Sequence, residues 1–181
     1  YHAVRTLGAA AFDADVIVAH AMEKPDARPW QPMLTGYHVV VAAPSLLRAF
    51  GPVTRAADLL AAPLIHSDWR ENQRQGGPSW SQWFQAMGVE ARHLPRGLHV
   101  NQGQLVMALA AAGRGFAVTN VAMAESSILS GELQIVFAEP VLRSTPYWLL
   151  AEPERAGGSP LSLFRDWLLA EAEATGRLVP R

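Results

Sequence analysis

The sequence predicts an α/β fold in two lobes, on three observations. Apolar runs such as Val16-Ile17-Val18-Ala19 and Phe116-Ala117-Val118 are continuous rather than alternating, as in strands buried on both faces. Strand and helix patterns alternate along the chain, which favours a mainly parallel sheet. Proline-marked breaks at Ala43-Pro44 and across Pro140 to Pro146 each adjoin a long strand. They are read as the places where the chain crosses between lobes. The expected first lobe is then 1–43 with 141–177, and the second is 44–140.

His2 to Leu7 opens as a short strand, and Ala9 to Asp13 is a small-residue turn. Val16 to Ala19 is the next strand. Pro25, Pro29 and Pro32 break regular structure and set a loop over 24–32. Tyr37 to Ala43 carries the strongest strand pattern. Pro44-Ser45 stops it and opens a short helix, 46–50, which Gly51-Pro52 ends. Thr54 is placed to cap a second short helix through Leu60. Pro63 closes that helix ahead of the strand Leu64-Ile65-His66. Residues 69–78 are polar and glycine-rich, a loop. Ser79 and Gln82 have capping-box spacing for a helix to Met87, stopped by Gly88. Leu98-His99-Val100 is a strand, and Asn101 is placed to cap a helix reaching Ala112 with Gly113 past its end. A strand at 116–119, a helix at 121–129 and a strand at 133–137 follow. After the connector comes a strand at 147–151. Ser159-Pro160 pairs a cap with a first-turn proline. The last helix runs to Ala174, with Leu161, Phe164, Leu168 and Leu169 on one face.

Composition narrows the function. With 181 residues, 50% of them apolar, the chain is able to bury about 70% of its unfolded surface. Fifteen basic residues against 16 acidic ones leave no basic face for duplex nucleic acid. No cysteine is present, which excludes disulfides, thiol catalysis and thiolate metal sites and fits a reducing compartment. The longest apolar run, 105–112, is far shorter than a membrane-spanning helix. Leu178-Val179-Pro180-Arg181 reads like the left half of a thrombin site and is set aside as a cloning scar. The first residue is Tyr1, so the chain is expected to start inside something larger.

His66-Ser67-Asp68 has the letters of a hydrolase triad, but adjacent residues cannot take the three roles, and no G-x-S-x-G elbow occurs. His66 is either a cleft wall or an ordinary hydrogen-bonded histidine. The six histidines show no i, i+4 pair and no H-E-x-x-H, so no metal or other cofactor is expected. Gly113-Arg114-Gly115 lacks a following lysine and reads as a helix stop rather than a phosphate loop. Trp80, Trp83 and Phe84 share a helix and read as core. Trp69, in a polar loop past a strand end, either lines a pocket or packs.

Asn101 to Gly103 is the most informative position. A polar residue follows a strand and opens an apolar helix, where free N–H groups and the helix dipole attract anions. A simple N-cap satisfies the same donors, and both readings stand. Thr119-Asn120, at the next strand end, is the same kind of place.

The run Gln104-Leu105-Val106-Met107-Ala108-Leu109-Ala110-Ala111-Ala112-Gly113-Arg114-Gly115-Phe116-Ala117-Val118, with Ser130-Gly131-Glu132-Leu133, resembles the effector-binding domain of LysR-type transcriptional regulators. That family's pattern is an Ala-rich helix, G-x-G, an apolar strand, a helix and a closing G-x-L. Asp13-Ala14-Asp15-Val16-Ile17-Val18-Ala19 is similar to another of its motifs. So are the strand-Pro-helix passage over 39–47, Asp58-Leu59 with Pro63-Leu64-Ile65-His66, and Phe164-x-x-Trp167-Leu168. The likeness covers nearly all of 1–175 and is to the glycine-cleavage-activator and β-lactamase-regulator branch.

The resemblance implies a periplasmic-binding-protein-like (type 2) fold, two α/β lobes joined by two crossover strands. It implies a small effector, often an anionic metabolite, in the cleft, and a cytoplasmic homodimer or tetramer. DNA is bound only through an N-terminal winged helix-turn-helix that this chain lacks, and no membrane is involved. The family's first strand and first helix have no counterpart here. The positions that match its cleft are Thr6, His20, His66, Ser67, Asn101, Gln102, Thr119 and Tyr147, to which the loop argument adds Trp69. A solute-binding protein of a transport system is the alternative. An enzyme ranks last, because no convergent ionisable pair is visible.

Overall fold

The structure, a computed structural model, describes residues 3–4, 14–67, 79–137, 142–151 and 159–178. Contacts divide the chain into two compact units, Tyr1–Gly36 with Thr145–Leu178, and Tyr37–Ser144.

The first unit holds β1 (Ala3–Val4), β2 (Val16–His20) and β3 (Gln31–Leu34), with β10 (Tyr147–Ala151) and α5 (Pro160–Gly176) from the far end of the chain. Its sheet order is β1-β2-β10-β3. β1 lies parallel to β2, and β10 runs antiparallel to both β2 and β3. Ile17, Ala19, Trp30 and Leu150 form its small core. The Ser159 hydroxyl accepts the Ser162 N–H and caps α5, and Pro160 opens the first turn, where its missing N–H costs nothing. α5 packs on β3. The expected apolar stripe of α5 is only half-buried, and Leu163 and Trp167 stand exposed on this helix.

The second unit is larger. It holds β4 (Tyr37–Ala42), α1 (Pro44–Phe50), a 3-10 helix (Ala56–Ala61), β5 (Leu64–Ser67), α2 (Trp80–Ala86), β6 (Gly97–Val100), α3 (Gly103–Ala111), β7 (Phe116–Asn120), α4 (Val121–Leu129), β8 (Gln134–Ile135) and β9 (Leu142–Arg143). The sheet order is β6-β5-β7-β4-β8, with β9 also on β4. Side chains alternate across this sheet. Val40, Ala42, Leu64, Phe116 and Val118 meet Trp80, Trp83 and Phe84 of α2, together with Ala56, Leu59 and Ala62. Trp80 donates its indole N–H to the Ile65 carbonyl at 2.9 Å, so the buried ring keeps its one polar atom satisfied. α3 packs on β5 and β7, and α4 on β4 and β7. Gly113, at φ +69°, ends α3 in the left-handed region that suits glycine.

Several expectations shift. The sheets are mixed rather than mainly parallel. β4 is antiparallel to β7, and β10 is antiparallel to β2. Both strands are where the chain enters or leaves a unit, so helical crossovers do not set their direction. The unit boundaries fall at 36/37 and 144/145 rather than at 43/44 and 140/141. The cause is β4, which pairs along its length within the second sheet, from Tyr37 with Arg143 to Ala42 with Gln134. Of the expected strand 133–137, Gln134–Ile135 pairs with β4 and the Val136 N–H donates to the Val40 carbonyl at 2.9 Å, while Leu133 turns into the core. β3 forms in spite of Pro32, because it is an edge strand that tolerates a missing donor. Thr54 does not cap its helix. Asp58 instead accepts the N–H groups of Thr54 and Arg55, at 3.0 and 2.9 Å. The segments 69–78 and 179–181 lie outside the described residues.

Candidate functional site

β5 lies parallel to both β6 and β7, so the carboxyl ends of the three strands share one edge of the sheet. Their chain order is β5, β6, β7, whereas their spatial order is β6-β5-β7. The connections therefore reverse direction beside β5. Open α/β sheets take ligands at such a switch point, beyond the carboxyl ends of the strands.

The second unit's expected residues gather along this edge. His66 and Ser67 end β5, Asn101 and Gln102 follow β6, and Thr119 and Asn120 end β7. Their states differ. His66 is buried, its Nε2 2.9 Å from the Pro95 carbonyl oxygen, with its ring stacked on His99. Ser67 is half-buried, and Asn101 and Gln102 are exposed. Thr119 is buried, as is Asn120, whose Oδ1 accepts the Ala122 N–H at 3.0 Å and caps α4. Asn120 Nδ2 donates to the Ser144 hydroxyl at 2.7 Å.

Asn101 is not the cap of α3. The strand runs to Val100, two residues are then needed to turn, and the residue flanking the helix is Gln102, in an extended conformation without a side-chain cap hydrogen bond. α3 starts at Gly103, where a Cβ would approach Met123 Cε to 2.6 Å. That atom is the free end of an exposed side chain that can swing aside, so the contact does not by itself require glycine. The stretch 97–124 contains Arg114 but no acidic residue, so no fixed negative charge from it opposes an anion.

In the first unit, His20 and Tyr147 face each other in register, their ring centroids 4.6 Å apart. This strand end is pinned by backbone-directed bonds. The Trp148 indole donates to the Ala21 carbonyl at 3.0 Å, and the Ala21 N–H donates to the Pro146 carbonyl at 3.2 Å. Thr6 and Trp69 lie outside the described residues.

Among the described residues, no three His, Cys, Asp or Glu side chains are grouped to hold a metal ion. The perturbed carboxyls serve structure instead. Asp26 is held well below the usual carboxylate range by the Arg28 guanidinium, then by the Arg28 backbone N–H and the Trp30 indole. Asp58 is lowered by the N–H groups of Arg55 and Thr54.

Residues 8–173 match the LysR substrate binding domain family. The chain belongs to this family. Its LysR fold is shared with solved effector domains. That of the transcriptional regulator AmpR of Pseudomonas aeruginosa aligns with a TM-score of 0.62 at 22% identity, over 96% of this chain and 79% of that one. The AmpR effector binding domain from Citrobacter freundii gives 0.61 at 18%, over 94% and 80%. These likenesses show the periplasmic-binding-protein-like fold expected of the LysR family. In sequence the chain is similar, at 26% identity over 138 residues, to the glycine cleavage system transcriptional activator of Escherichia coli strain K12. The match covers 76% of this chain and 43% of the relative, so this LysR chain spans under half the length of the curated relatives it matches.

Two residues at the edge escaped the sequence reading. His99 was one of six scattered histidines, and Ser144 lay in a connector. Their partners are set by strand register, which one-dimensional spacing does not encode.

Proposed function

We propose that this chain is the effector-sensing domain of a larger bacterial LysR-type transcriptional regulator. The observation that carries the proposal is the row of polar groups at the carboxyl ends of β5, β6 and β7, beside a switch point in the fold of known effector domains. The effector is a small, anionic molecule, as the family resemblance implies. Ser67, Gln102 and Thr119 of the second unit contact it. The chain acts by binding and not by catalysis. Binding favours one of two states of a homo-oligomer and moves attached DNA-binding domains through the difference in affinity. The whole protein works in the cytoplasm. Among the described residues, no helix is long and apolar enough to cross a membrane. Family membership favours this reading over a transport protein.

A metabolite library screened by thermal shift, followed by calorimetry, tests the proposal. A true effector at a hundred times its Kd stabilises the chain by about 2.7 kcal/mol. Gln102→Ala and Ser67→Ala weaken that binding without lowering the melting temperature of the free chain. If no carboxylate, phosphate or peptide ligand saturates, or if these variants bind every ligand unchanged, the proposal fails.

A further inference from the structure

The sheet of the second unit ends on β8, at the opposite edge from β6. Val41 and Ile135 are register partners there, and the Val136 N–H donates to the Val40 carbonyl at 2.9 Å. Alternate pairs bond in an antiparallel ladder, so the Ile135 N–H and C=O point outward, away from β4. Ile135 lines an open groove of about 610 Å³ between β8 and the end of α1. Leu47, Val53 and Val136 form its apolar side, and each is half-buried against the core of the unit. Gly51, at φ +99°, ends α1 and starts the wall that Pro52 and Val53 continue. Among the described residues that line the groove, Arg48 alone is charged. It is exposed, and its side chain has no hydrogen-bond or ion-pair partner among the described residues.

We propose that this groove binds an extended peptide carrying an acidic side chain. Sheet edges take up peptides by main-chain pairing, and pockets beside the edge select side chains. Here one peptide residue pairs through its own N–H and C=O with those of Ile135. An apolar side chain of the peptide rests on Leu47, Val53 and Val136, and a carboxylate on a flanking residue meets Arg48. The guanidinium fork donates two parallel bonds to a carboxylate, so the groove suits an acidic segment over a neutral or basic one. β8 is two residues long, so main-chain pairing is limited to one peptide residue, and the apolar contact and the charge decide which sequence binds. The volume lies within the range of ligand sites. The proposal does not rest on the sensing role, which belongs to the carboxyl ends of β5, β6 and β7.

The probe is the peptide acetyl-Thr-Val-Glu-Val-amide, titrated into the whole chain and followed by the backbone amide signals in NMR. The Ile135 and Val136 signals shift to saturation, and those of Ser67 and Gln102 stay still. The same peptide with Gln in place of Glu binds about fivefold more weakly, as for an exposed ion pair. Arg48→Gln, a change at an exposed position that leaves the melting temperature as it was, binds both peptides equally. Salt at about 1 M removes most of the difference seen with the parent chain. A peptide N-methylated at every residue does not bind, because it has no N–H to donate to the Ile135 carbonyl. No saturable shift at Ile135, equal binding of the two peptides by the parent, or binding that survives N-methylation overturns the proposal. Shifts centred on Ser67 and Gln102 place the peptide at the effector edge and overturn it too. Signals at β8 that change with chain concentration alone show a second copy in the groove, which also overturns it.

Discussion

Replacing Asn120 by alanine tests whether one side chain ties the candidate edge together. The residue is 6% exposed and works in two directions. Its Oδ1 caps α4 through the Ala122 N–H at 3.0 Å, and its Nδ2 donates to the Ser144 hydroxyl at 2.7 Å. Losing an N-cap costs about 1 kcal/mol. Losing a buried hydrogen bond costs about another 1 kcal/mol. Asn120→Ala is therefore expected to destabilise the chain by about 2 kcal/mol, which for its size is about 4–8 °C in melting temperature. Asn120→Asp separates the two effects. The carboxylate still accepts the Ala122 N–H, its charge suits a helix amino end, and the Ser144 hydroxyl can rotate to donate to it, so the loss is about 1 kcal/mol or less. Urea unfolding followed by circular dichroism, in a double-mutant cycle with Ser144→Ala, measures the pair directly. A coupling of about 1 kcal/mol is expected between two residues in contact. Additive single variants, or an Asn120→Ala protein as stable as the parent, would show that Asn120 is a bystander and refute the reasoning.

Other expectations follow from the same coordinates. Trp83, 1% exposed among Trp80, Phe84 and Phe137, is worth about 3–5 kcal/mol when cut to alanine, read from the urea midpoint. Gly113→Ala forces a side chain into φ +69° and brings its Cβ to 3.2 Å from the Ser45 hydroxyl, costing about 1–2 kcal/mol in the same assay. Acid titration addresses Asp26 and Asp58. Both carboxyls are lowered in the folded chain, so their stabilisation is complete above the ordinary carboxylate range and is lost as pH falls through the folded values. Stability should decline below about pH 4, and Asp26→Asn and Asp58→Asn should each flatten that decline a little, since exposed pairs are weak. An unchanged acid limb in both variants would remove these two groups from the account.

The local signals in the sequence were strong wherever one residue type has one physical use. Ser79 and Ser159 cap α2 and α5, Gly88 and Gly113 stop helices at positive φ, and Trp80, Trp83 and Phe84 fill the core as their clustering on one helix predicts. The ordered motifs from Gln104 to Leu133 pointed to the family before any coordinate was needed. Capping departs from the local pattern where the chain has a second choice. Asn101 yields to a two-residue turn ahead of α3, and Thr54 yields to the carboxylate of Asp58.

The sequence by itself determined the α/β class, the strand ends and which of them carry polar residues, because hydrophobic runs, caps and glycines act over a few residues. Only the tertiary structure decided that β4 belongs to the second sheet, that β3 and β9 are strands at all, and that His66 meets His99 while Asn120 meets Ser144. Each of those depends on which distant strand supplies the hydrogen-bonding partner and in what register. Such pairing is a free-energy balance over the whole sheet, and no local pattern holds it.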